Sequence, residues 1–100
     1  MNTTTEPLIV TRHEALVTVL SEDYKITGDV MPHAGAEEVR GRHVVGVLPL
    51  HLAAEAATLT VVDLQIPPDV RGRELTTDEV RRFSRGLVTY RVEKLSAHPV

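Results

Sequence analysis

Three short stretches of the 100-residue chain hold side chains able to grip a phosphate ester or move its protons. They are Thr11-Arg12-His13, Leu48-Pro49-Leu50-His51, and the run from Ile66 to Glu74 with Arg71 and Arg73 inside it. A planar guanidinium donates in pairs to phosphate oxygens. An imidazole that titrates near neutrality takes or gives a proton with equal ease. Arg12, His13 and His51 are therefore the candidates for catalytic work, and Thr11, Pro49, Arg71 and Arg73 the candidates for holding a substrate. Plainer readings stand beside these. Thr11 and Glu14 have the spacing of a helix capping box, Arg12 reads equally as a solvated charge, and a lone histidine is commonly a hydrogen-bonded surface residue.

Other chemistries find less support. The five histidines invite a metal centre, but no two are spaced i and i+4, cysteine is absent, and no carboxylate completes a ligand set. Neither a metal nor another cofactor is expected. Gly46 lies inside an apolar run and Gly72 stands alone, so no glycine-rich nucleotide loop is formed, and no nucleophilic triad is recognisable. Arg81, Arg82 and Arg85 read as the solvent face of a late helix, or as a face that meets an acidic protein.

The elements that must bring the three stretches together follow from patterning. Leu8-Ile9-Val10 is an unbroken apolar run of the kind buried on both faces of a parallel sheet. With Thr11 and Glu14 as its capping box, a helix follows at once, its buried stripe formed by Leu16, Val19 and Leu20. A weak strand around Asp29-Val30-Met31 precedes a short helical turn over 36–40, which Gly41 stops. The strand 43–48 is the clearest, and Pro49 suits the first turn of an alanine-rich helix over 50–57. A further strand covers 59–66. Thr76 and Glu79 form a second capping box with Leu75 and Val80 as its staple, opening a helix that Gly86 would end. Period-two alternation over 87–95 then fits an antiparallel edge strand.

Strand–helix alternation predicts an α/β chain, a single Rossmann-like domain over 1–100, its mainly parallel sheet flanked by helices and closed by that antiparallel edge strand. Residues 1–6 and 96–100 are expected to be loose. In such sheets ligands sit beyond the carboxyl ends of the strands, where the three stretches fall, and helix N-termini there favour an anion. A formal charge of −3 argues against general affinity for duplex DNA, and three aromatic residues supply no platform for single strands. No apolar run reaches membrane-spanning length, no secretory leader is recognisable, and the absence of cysteine gives no sign of an oxidising compartment. A cytoplasmic location is the expectation. One domain of this size gains from pairing with a second copy.

The strings Val10-Thr11-Arg12-His13, Gly46-Val47-Leu48-Pro49-Leu50-His51-Leu52-Ala53-Ala54 and Pro67-Pro68-Asp69-Val70-Arg71-Gly72-Arg73-Glu74-Leu75-Thr76, in this order, carry a resemblance. The chain resembles small CRISPR-associated proteins of type III systems, themselves similar to stand-alone ring nucleases that degrade cyclic oligoadenylate messengers. The likeness runs from Leu8 to Leu95 and departs at the second strand, where Gly28 and Asp29 intervene. It implies a Rossmann-like homodimer that cleaves cyclic oligoadenylate, foremost cyclic tetra-adenylate, without a metal and so switches signalling off. In such a reaction a ribose 2′-hydroxyl attacks the adjacent phosphorus in line. Arg12, Arg71 and the backbone N–H groups after Thr11 would offset the growing charge, His13 or His51 would move the proton, and Thr11 would bond a ribose or phosphate. The alternative is a non-catalytic protein that binds the cyclic nucleotide as a sponge or sensor.

Overall fold

In the computed structural model, which describes residues 6–98, the apolar run Leu8–Val10 is strand β1, buried at every position. Residues 1–5 and 99–100, part of the ends expected to be loose, lie outside the described residues. Then come helix α1 (Glu14–Glu22), strand β2 (Val30–Met31), helix α2 (Ala36–Val39), strand β3 (His43–Gly46) and helix α3 (Leu50–Ala53). Strand β4 (Thr58–Leu64), a 3-10 turn (Pro68–Val70), helix α4 (Thr77–Phe83) and strand β5 (Ser84–Tyr90) complete the chain. The sheet has five strands in the order β2-β1-β3-β4-β5. The first four run parallel and β5 lies antiparallel along β4 as an edge strand. This is the mixed α/β architecture that the alternation of elements predicts.

Alternate residues of each strand feed two cores. Leu8, Val10, Val44 and Leu59 pack with Val39 of α2 and Ala53 of α3. Ile9 and Val45 point the other way, against Leu16, Val19 and Leu20 of α1 and Val80 of α4. A residue one step along a strand changes face, so helices must cover both sides. Arg81 ties the second layer together: its Nε donates to both carboxylate oxygens of Asp23 at 3.1 and 3.0 Å, and Nη2 donates to Glu22. These bonds, with Asp23 first and Glu22 next, raise the guanidinium pKa. The foremost of the three late arginines is thus occupied within its own chain.

Four local expectations are corrected. Thr11 and Glu14 form no capping box: Thr11 is buried, its Oγ1 accepts from the His13 N–H at 3.1 Å, and His13 becomes the N-cap without a side-chain bond. The helix after Pro49 is a single turn, because Glu55 C=O accepts from Gly41 N–H and Arg42 C=O from Ala57 N–H, which draws the chain into β4 early. Helix α4 stops at Phe83 rather than Gly86, since Gln65 N–H takes the Phe83 carbonyl and Ser84 pairs with Leu64; sheet hydrogen bonds replace another helical turn. β5 therefore starts at Ser84 and ends at Tyr90, opposite Leu59 near the start of β4, rather than running from 87 to 95. The second capping box holds: Thr76 Oγ1 accepts from Glu79 N–H at 3.2 Å and Glu79 Oε1 from Thr76 N–H at 2.9 Å.

Candidate functional site

The strand order places a switch point between β1 and β3. From β1 the chain passes to β2 on one side, then crosses to β3 on the other, leaving a crevice at the carboxyl ends of β1 and β3. Gly46 permits the close approach there. It has φ +135°, and a Cβ on it would lie 2.0 Å from the Val10 carbonyl oxygen. Only glycine accepts both conditions. The same carbonyl accepts from Val47 N–H at 3.2 Å, which locks the two strand ends together.

Arg12 and His13 follow the carboxyl end of β1, and His13 lines a cavity together with Gly46 and Val47 at the end of β3. Arg12 is exposed and takes part in no ion pair among the described residues. His13 Nδ1 lies 2.9 Å from Glu74 Oε2. An ionised carboxylate only accepts, so this pairing assigns the proton to Nδ1 and leaves Nε2 open for exchange with a ligand. Glu74 holds the ring across 61 residues of sequence. Behind His13, the N–H groups of Glu14 and Ala15 open a nine-residue helix and have no acceptor within it. Thr11, by contrast, turns its hydroxyl inward onto the loop it shapes.

The other candidates are distributed around this centre. Arg71 Nε donates to the Ile66 carbonyl at 3.3 Å, bracing its own loop. Arg73 forks onto Glu79, with Nη1 3.0 Å from Oε1. The pair and the Thr76 N–H lower the Glu79 carboxyl to a pKa of about 2. Pro49 is the exposed N-cap of α3. His51 follows it on the opposite layer, in a shallow depression shared with Leu50, Glu55 and residues 92–96. His13 and His51 therefore occupy separate concavities within one protomer. Helix α3 has four residues, so the helix dipole expected after Pro49 is not built.

On the His13 side a cavity of about 270 Å³ opens between α1, the ends of β3 and β4, and the segment that leads into α4. Its walls are aliphatic, and among the described residues His13 and Arg73 are its charged or titratable lining residues. Among the described residues no three His, Cys, Asp or Glu side chains converge as a metal would require, and no helix is long and apolar enough to cross a membrane. The residue that sequence reasoning missed is Glu74. It lay inside the third stretch, but a pairing with His13 leaves no local signal.

A family model described as "Putative CRISPR-associated protein (Cas_VVA1548)" matches residues 8–93. No curated protein and no solved structure matches the chain.

Proposed function

The chain belongs to this CRISPR-associated family, and from that membership and the site geometry we propose that it is a phosphodiesterase acting on cyclic oligoadenylate, foremost cyclic tetra-adenylate. One observation carries the reading: Arg12, with no ion pair among the described residues, follows β1 beside a His13 whose ring Glu74 orients, at the switch point of a sheet whose first four strands are parallel. The 2′-hydroxyl oxygen bonds to phosphorus while its proton passes to His13 Nε2. The bond from phosphorus to the 5′ oxygen breaks, a proton from the imidazolium or solvent completes the 5′-hydroxyl, and a 2′,3′-cyclic phosphate remains. Arg12 and the N–H groups of Glu14 and Ala15 offset the charge on the phosphate oxygens. The resemblance assigns no metal to this step.

A two-fold dimer would present two copies of this site to a ring of matching symmetry. Val47 and Leu50, 69% and 76% exposed on the same rim, offer apolar surface for a second copy. The separation of His13 from His51 favours a second reading, a module that holds the ring without cutting it, because no histidine pair is assembled within one chain. Incubating excess protein with cyclic tetra-adenylate and a chelator decides between them. Linear adenylates support cleavage; full recovery of intact, bound ring supports the binding module and overturns the nuclease.

A further inference from the structure

The aliphatic cavity beside His13 has no part in the phosphate chemistry, yet it opens onto it. Leu16 of α1, Val62 and Leu64 of β4 and Leu75 before α4 line it, with His13 and Arg73 beside them. Those two are largely exposed and so mark the mouth, with side chains 56% and 49% accessible. We infer that this cavity is a base pocket, which takes one purine ring of a nucleotide whose phosphate lies over Arg12 and the start of α1. The inference rests on the phosphate-ligand reading above and adds what holds the rest of the nucleotide.

Size and chemistry support that occupant. A volume of about 270 Å³ falls at the lower edge of small-molecule sites, enough for a fused bicyclic base but not for a whole dinucleotide. A single-ring base would leave part of the space without contacts, and unfilled space forfeits dispersion energy. The walls carry no aromatic side chain, so binding depends on close packing of branched aliphatics against the ring faces and on release of water from apolar surface. Polar recognition is confined to the mouth. A guanidinium only donates, and Arg73 is fixed in place by its fork onto Glu79. The bound edge must therefore present acceptors, which the ring nitrogens of a purine supply. His13 links the two halves of the site, its Nδ1 on Glu74, its ring at the cavity and Arg12 next to it in the chain.

The test uses methyl-labelled protein with adenosine 5′-monophosphate and, as a control without a base, ribose 5-phosphate. Adenosine monophosphate is expected to shift the methyl signals of Val62, Leu64 and Leu75, whereas ribose phosphate shifts only amides around Arg12 and Glu14. Equal methyl responses to the two probes would overturn the base pocket. Ile66→Phe, which adds ring bulk to the cavity wall, is expected to abolish the methyl shifts and to raise KM for cyclic tetra-adenylate about tenfold, with kcat within about twofold. If that variant loses its amide spectrum, Leu64→Met is used, and an unchanged adenosine monophosphate affinity in a folded variant counts against the pocket. Cleavage without methyl shifts would sink the pocket and keep the nuclease; methyl shifts without cleavage would do the reverse.

Discussion

The two turns that leave the parallel strands at the switch point are built from the same materials, a strand end, a polar segment and a helix, but they are suited to different tasks. After β1 the chain makes a tight turn in which buried Thr11 bonds the His13 N–H, and then enters nine residues of helix. After β3 it passes through exposed Val47, partly buried Leu48 and exposed Pro49 into four residues of helix. The first turn carries an exposed cation, an imidazole oriented by Glu74 and N–H groups with no acceptor inside their helix. The second offers an apolar rim and an untethered His51. A histidine after a strand's carboxyl end becomes useful when another element holds its ring, and of His13 and His51 it is His13 that has such a holder among the described residues.

Removing the shared hinge should break the comparison outright. Gly46→Ala places a Cβ against the Val10 carbonyl and strains a backbone at φ +135°, so both turns lose their anchor. We expect a loss on the order of 3 kcal/mol or more in denaturant unfolding, or no folded protein. A cooperative transition at the unaltered midpoint would show that the strand ends do not need this contact.

The next largest effect separates the two turns directly. Arg12→Ala should lower the rate of cyclic tetra-adenylate cleavage by about 100-fold to 1,000-fold, the size seen when one preorganised charge-stabilising donor is lost. Its melting temperature should not move, because Arg12 forms no ion pair among the described residues. His51→Ala should change the rate by less than about threefold. Equal losses at the two positions would mean that the second turn joins the same site, for instance from a second copy.

Much of this arrangement was legible in local sequence. Leu8-Ile9-Val10 and Val44-Val45 read as buried strands because both neighbours along each run are apolar, and Thr76 with Glu79 specified the start of α4 because a capping box is a three-residue interaction. What escaped were contests between local and distant partners. Gly86 looked like a helix end until the β4 ladder claimed Ser84, and Thr11 looked like a cap until burial turned its hydroxyl onto His13. The site divides in the same way. Arg12 and His13 were identifiable by type and position, whereas Glu74 becomes a partner only when the third stretch folds over α1.

That partner gives a smaller, sharper test. Glu74→Gln keeps a group that can accept from Nδ1 but removes its charge, so the ring stays near its place while the imidazolium loses its counter-ion. Cleavage should fall about tenfold through kcat, with KM within about twofold, because the ring that takes the proton loses its counter-ion. A structural role alone would lower the melting temperature and the folded fraction without changing kcat per folded molecule. The equivalent change near His51, Glu55→Gln, should leave kcat and KM untouched.

The smallest effect concerns the mouth of the cavity, where Arg73 is held by Glu79. Glu79 has its carboxyl pKa lowered from 4.5 to about 2, chiefly by its hydrogen bond from Arg73 and next by the Thr76 N–H. A group whose folded pKa lies below its unfolded value stabilises the fold above the unfolded pKa, and the contribution fades as pH falls through the folded one. Stability from this pair should thus be complete at neutral pH and decline between pH 4.5 and about 2. Unfolding monitored across that range should show a steeper acid loss for the wild type than for Glu79→Gln, which starts lower and changes less. In the same window Arg73 loses its anchor, so adenosine monophosphate should weaken there while the ribose 5-phosphate response around Arg12 does not follow the same curve. Parallel curves for the two probes would mean that the base side and the phosphate side of the first turn titrate as one site.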